Sequence, residues 1–144
     1  MSDKEKIIAP EEIAEMLGEE DPRRAAYFCG YELFKRVYQV QARIINRTGE
    51  ACCVCLFTVT SSDGSLPDDL FMDFFRESIR ENLRASDVVT RSGPTQFMTL
   101  LRGSDVVNAE MVCNRLIDTF EKAHPDADVK ADFLICPMQA TVFK

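Results

Sequence analysis

Apolar residues recur along this chain in helical and strand periods by turns. Pro10-Glu11-Glu12 predicts the start of a short helix, with Ile13, Met16 and Leu17 on one face and Gly18 at its end. Glu19-Glu20-Asp21-Pro22 is a polar break. Across residues 25–46, Phe28, Leu33, Phe34, Val37, Tyr38, Val40, Ile44 and Ile45 recur at helical spacing, and Arg47-Thr48-Gly49 predicts the stop. Residues 52–60 are rich in β-branched and apolar side chains and read as a central strand; residues 61–65 read as a turn. Pro67-Asp68-Asp69 opens another helix with Phe71, Met72, Phe75, Ile79 and Leu83 inward. Val88 and Val89, the tight turn Ser92-Gly93-Pro94-Thr95 and the run from Phe97 to Leu101 predict a hairpin. Gly103-Ser104-Asp105 leads into a helix over residues 106–123, with Val107, Met111, Leu116 and Phe120 inward. Pro125 and Asp126 mark a loop, residues 133–136 a last central strand, and Thr141-Val142-Phe143 an added edge.

The order α-α-β-α-β-β-α-β contains the split βαββαβ unit, so the expected fold is α+β: a ferredoxin-like core, an antiparallel sheet with helices on one face, and extra N-terminal helices. Residues 1–20 are expected to form an N-terminal helical extension or linker stub, and residues 21–144 the main domain. A chain of 144 residues with 46% hydrophobic content can bury one sizeable core. The net charge of -7 argues against nucleic acid phosphates or anionic lipid as the principal partner. No run is long and apolar enough to cross a bilayer, and the first twelve residues, MSDKEKIIAPEE, lack the apolar centre of a secretion signal, so a cytoplasmic location is expected.

Six cysteines, Cys29, Cys52, Cys53, Cys55, Cys113 and Cys136, invite a metal or redox reading of Cys52-Cys53-Val54-Cys55. On a strand Cys53 and Cys55 share one face and Cys52 takes the other, no second C-x-x-C exists, and the single histidine, His124, lies far along the chain. Buried structural thiols are the expectation, with no metal and no cofactor. The hairpin tip displays Gly93, Pro94, Thr95 and Gln96, none of which ionises, so it performs no acid–base chemistry and offers a metal no carboxylate.

Residues 24–140 resemble the GGDEF domain, the diguanylate cyclase fold of bacterial signalling. The resemblance is carried by Leu83-Arg84-Ala85-Ser86-Asp87, then five residues, then Gly93-Pro94-Thr95-Gln96-Phe97 with Leu100-Leu101 closing the strand. Gly103-Ser104-Asp105, Asn108-Ala109, Asp68-Asp69 and Gly49-Glu50 fall where the family has related residues. In the family, a carboxylate on the first strand and the hairpin Glu hold two divalent cations on the triphosphate. Here those positions are Thr58, Thr60 and Gln96, all neutral, and the paired glycines become Gly93-Pro94. The phosphate-contacting loop is shorter, the Leu-Thr-Gly-Leu entry motif is absent, and Asp69, at a guanine-recognising position, is expected to serve the helix start instead. The resemblance therefore implies a degenerate, non-catalytic domain. The competing reading is a divergent nucleotidyl cyclase whose metal ligands would include Asp63, Asp68 or Asp69.

The family's Arg-x-x-Asp is an inhibitory site for cyclic di-GMP, and here it is Arg84 and Asp87. Arginine offers a planar fork to a phosphate or the Hoogsteen edge of guanine, Asp accepts from guanine N–H groups, and Arg91 on the following strand would add a second cation. The structural alternative is that Arg84 complements a helix C-terminus and Asp87 fixes a turn. Arg23-Arg24 reads as solvated, and Phe74 as an aromatic either exposed or buried at an edge. The apolar positions around Tyr27, Tyr31 and Tyr38 suggest a homodimer or docking on a sensor or partner domain through the N-terminal helix. The expected function is a regulatory or interaction module in bacterial signalling, with cyclic di-GMP as its ligand in the sharpest version.

Overall fold

The computed structural model describes residues 9–125 and 128–144, so the Asp126 end of the expected loop and the first eight residues lie outside it. The elements are α1 (Pro10–Leu17), β1 (Tyr27–Phe28), α2 (Tyr31–Thr48), β2 (Cys52–Ser61), α3 (Asp69–Asn82), β3 (Val88–Gly93), β4 (Gln96–Arg102), α4 (Val106–Ala123) and β5 (Val129–Pro137). The sheet order is β1-β3-β4-β2-β5. β2 pairs antiparallel with β4 and β5, β3 pairs antiparallel with β4, and β1 pairs parallel with β3. This is the expected ferredoxin-like α+β core with one short parallel strand added at an edge.

That added strand corrects the expected helix over residues 25–46. Phe28 fits a helical period, yet Tyr27 and Phe28 pair with Val88 and Val89, and Gly30 stands just outside the helix as its N-cap. The Tyr27 amide donates to the Asp87 carbonyl at 2.9 Å and the Cys29 amide to the Val89 carbonyl at 3.0 Å. A short segment whose backbone can complete a ladder gains more there than in an extra helical turn. Gly49 ends α2 in the left-handed region at φ 70°, where a side chain would be strained.

Side-chain alternation on β2 divides the core. Cys53, Cys55, Phe57 and Val59 face α3 and α4 and pack with Met72, Phe75, Ile79, Leu116 and Phe120. Phe75 touches three rings, with centroids 4.8 Å from Phe120, 5.9 Å from Phe97 and 6.1 Å from Phe57. The opposite face carries a smaller cluster under α2, built from Cys29, Phe34, Val88 and Leu100, so helices cover both faces and not one. In α4 the buried stripe is Ala109, Cys113, Leu116 and Phe120. Val107 and Met111, expected inward, are 68% and 65% exposed; Ala109 and Cys113, two positions further on, take the inward face with the expected Leu116 and Phe120, and the Asp105 carboxylate caps the helix start by accepting from the Asn108 amide at 2.8 Å. β5 is an edge strand, not a central one, because its only partner among the described residues is β2. Residues 138–144 form no strand; Thr141 donates to the Ala42 carbonyl and accepts from the Asn46 amide, which ties this tail to α2.

Five of the six cysteines are buried and all are free thiols, with Cys136 exposed on β5. Among the described residues no cluster of three His, Cys, Asp or Glu side chains could hold a metal ion.

Candidate functional site

The chemistry-bearing residues fall at two opposite ends of the central strands. At the first end the β3–β4 hairpin closes through Pro94 and Thr95, with Gly93 opposite Gln96. Proline lacks an N–H and suits a turn position that needs none. The Thr95 carbonyl accepts from the Val59 amide at 2.9 Å, which fixes the tip to β2. Thr58 and Gln96 are register partners on β2 and β4, and the Gln96 amide donates to the Thr58 hydroxyl at 3.3 Å. Two neutral polar side chains thus satisfy each other where the family resemblance places carboxylates. Thr60 is exposed, and its hydroxyl lies 3.5 Å from the Lys130 carbonyl. This donor set does not fit a pair of divalent cations, which require hard anionic oxygens.

Asp68, not Asp69, caps α3: its carboxylate accepts from the Phe71 amide at 2.7 Å. The Asp69 side chain is 95% exposed and stands 3.9 Å from Arg91. Asp63 is held within its own loop, accepting from the Ser65 hydroxyl and amide, which keep its carboxyl below the ordinary value. Arg91 donates to the carbonyls of Pro94 at 2.7 Å and Gly93 at 3.3 Å, and its guanidinium lies 5.9 Å from the Phe97 ring centre. It braces the hairpin tip and is not brought together with Arg84.

At the other end, Leu83 to Asp87 turn from α3 into β3. The Asp87 carboxylate is buried, and it accepts from the Arg84 amide at 2.9 Å and the Arg102 amide at 3.3 Å. Burial holds its carboxyl above the ordinary value against the opposing pull of the Arg84 amide and guanidinium. Asp87 is therefore a positioning residue for this turn. The Arg84 side chain stays 60% exposed, with Nε 3.7 Å from Asp87 and Nη2 donating to the Arg102 carbonyl and the Ser104 hydroxyl. Gly103, at φ 71°, makes the bend that brings Ser104 there.

Arg84 forms one wall of an open cleft of about 640 Å³ between the end of α3, the β4–α4 connection and the first half of α4. Leu83, Leu101, Met111 and Val112 supply its apolar surface, and Asn82, Ser104, Asn108, Asn114 and Arg115 its polar rim. Arg115 is exposed, and its side chain makes no ion pair among the described residues. Sequence reasoning missed Arg115 and Asn108 as site residues. Their signal was positional: Asn108 and Arg115 are seven apart, two turns along one face of α4.

No family model matches the chain, and no curated protein matches it by sequence. Solved structures do. The GGDEF domain of FimX from Pseudomonas aeruginosa is 16% identical, with a TM-score of 0.65 over 89% of this chain and 85% of that one. The active GGEEF domain of a diguanylate cyclase from Vibrio cholerae is 10% identical, with a TM-score of 0.68 over 77% of each chain. Diguanylate cyclase SiaD of P. aeruginosa, solved in complex with its activator SiaC, is 16% identical, with a TM-score of 0.67 over 79% of this chain and 48% of that one. This chain has the fold of those GGDEF domains, and no helix among its described residues is long and apolar enough to cross a membrane.

Proposed function

We propose that this chain is a non-catalytic signalling module that receives a cyclic dinucleotide, cyclic di-GMP by the family resemblance, in the cleft beside Arg84 and does not convert GTP. The observation that carries the reading is the Thr58–Gln96 hydrogen bond at 3.3 Å. It leaves the cyclase end of the sheet without a carboxylate on either central strand position, and so without the charge that two magnesium ions beside a triphosphate demand.

The opposite end supports ligand capture. Cyclic di-GMP carries two phosphates and two guanines. Arg84 and Arg115 stand on the α3 and α4 sides of one cleft, and its volume of about 640 Å³ falls within the usual range for small-molecule sites. Arg84 commits Nη2 to the Arg102 carbonyl and Ser104 and turns Nε towards Asp87, which leaves Nη1 to meet a phosphate or a guanine edge. Asp87 acts through Arg84 by setting the turn. Asn108 and Asn114 add neutral donors and acceptors at the rim. The module works in the cytoplasm, and its output is contact with a second copy or a partner domain over the exposed apolar surface that includes Tyr31 and Tyr38.

Calorimetric titration with cyclic di-GMP tests the reading on wild type, Arg84→Ala and Arg115→Ala. Wild type is expected to give saturable heat, and each variant to bind at least about tenfold more weakly, the loss of one charge-assisted contact. No heat from wild type, or equal binding by both variants, overturns it.

A further inference from the structure

One whole edge of the sheet, the outer side of β5, has no partner among the described residues. The strand runs nine residues and pairs with β2 through nine consecutive positions without a bulge. Its only proline, Pro137, stands at its end. A long edge strand with no bulge and no interior proline is a template for a further strand.

The ladder with β2 fixes which backbone groups face outwards. The Asp128 carbonyl accepts from the Ser62 amide at 3.3 Å, and the Met138 amide donates to the Cys52 carbonyl at 2.8 Å. Both bonds continue the β2–β5 register at its two ends, so the even-numbered residues of β5 turn their amides and carbonyls towards β2. Val129, Ala131, Phe133 and Ile135 turn theirs to the open edge, and none of these makes a backbone hydrogen bond beyond the sheet among the described residues. The tail after Pro137 is tied elsewhere, with the Thr141 amide on the Ala42 carbonyl of α2.

The side chains specify the partner. Lys130 and Asp132 are exposed on one face of β5, opposite Thr60 and Thr58, and neither makes an ion pair among the described residues. A second β5 laid antiparallel about a twofold axis at Ala131 sets Lys130 against Asp132 on both sides of the axis, in the close positions between hydrogen-bonded pairs. On the other face the same register sets Val129 against Phe133, a β-branched and aromatic pair. Moving the axis one residue either way sets Lys130 against Lys130 or Asp132 against Asp132, and an axis at Phe133 leaves both charges unmatched. The strand is thus self-complementary about Ala131, as an interface between identical copies requires.

We propose that β5 pairs antiparallel with β5 of a second copy about Ala131, joining the two sheets into one. The proposal does not depend on the ligand reading. Sedimentation from micromolar to millimolar concentration tests it on wild type, Lys130→Asp, Asp132→Lys and the exchange variant that carries both substitutions. Wild type is expected to dimerise. Each single variant sets like charges together on both sides of the axis and is expected to associate at least about tenfold more weakly. An equimolar mixture of the two single variants is expected to regain association, because every pair across the axis is again of opposite sign. The exchange variant is expected to match wild type for the same reason. Circular dichroism and melting verify the folds. Amide hydrogen exchange on wild type needs no variant: the amides of Val129, Ala131 and Phe133 are expected to exchange more slowly as concentration rises. A wild type monomeric throughout overturns the proposal. So does a dimer whose β5 amides exchange as fast as in the monomer, a single variant that associates like wild type, or a mixture that stays as weak as its components.

Discussion

Replacing Asp87 with alanine separates its positioning role from a solvent-facing one. The buried Asp87 carboxylate accepts from two part-buried backbone amides, those of Arg84 and Arg102, at 2.9 and 3.3 Å. Alanine leaves both donors unpaired. A fully buried donor left unsatisfied costs about 1–3 kcal/mol, so for these two part-buried amides the loss is at most about 2–6 kcal/mol out of a total stability on the order of 5–15 kcal/mol. Asparagine keeps one acceptor and presents an N–H₂ group where the second was, so its cost falls between wild type and alanine. The chain has no tryptophan, so urea unfolding is followed by circular dichroism or tyrosine emission. The pH dependence has a definite sign. Burial raises the folded-state carboxyl above its unfolded value of 3.8, so the folded chain binds more protons there. The contribution of Asp87 is fully present below that value and is lost as pH rises through the folded-state value. The advantage of wild type over Asp87→Asn is therefore greatest in acid and shrinks towards neutrality. An Asp87→Ala variant within about 0.5 kcal/mol of wild type would refute the buried-acceptor argument.

Two further outcomes follow from the same geometry. Native chain treated with iodoacetamide is expected to react first at Cys136, the one exposed thiol, while Cys53, whose thiol burial pushes up to about 11, stays unmodified; mass spectrometry of peptides reads this, and early labelling of Cys53 would contradict the packing of β2. Thr58→Asp combined with Gln96→Glu places two carboxylates opposite each other on β2 and β4. This double variant is expected to melt lower than wild type without divalent cations, by repulsion worth about 1 kcal/mol, and to recover with manganese; a melting temperature indifferent to manganese would show that the two positions do not form a cation site.

The elements with strong local signals were legible in the sequence. Pro10, the Asp68-Asp69 pair and Gly49 mark helix ends by their backbone chemistry alone, and the hairpin follows from Gly93-Pro94 between two apolar runs. What failed needed partners distant in sequence. Tyr27 and Phe28 form a strand because β3 offers an unpaired edge, which no helical periodicity reveals. Val107 and Met111 fit an apolar spacing, but the Asp105 cap and the packing of Cys113 against β2 turned the other face inward. β5 reads as central by its apolar content, and its edge position is a matter of topology. Of the residues that the spacing singles out, Arg84 and Asp87 stand together at the α3–β3 turn and line the cleft. Arg91 is near Arg84 in sequence, yet it lies towards the hairpin end of β3, whereas Arg84 stands in the turn before that strand begins. Arg115, thirty-one residues after Arg84, reaches the same cleft only through the fold.

Incubation of the purified chain with GTP and either magnesium or manganese, with products resolved by chromatography, tests most directly the claim that the Thr58–Gln96 end is chemically silent. The account predicts no cyclic di-GMP above the protein-free blank with either metal. Steady product formation that Asp69→Asn abolishes would contradict it.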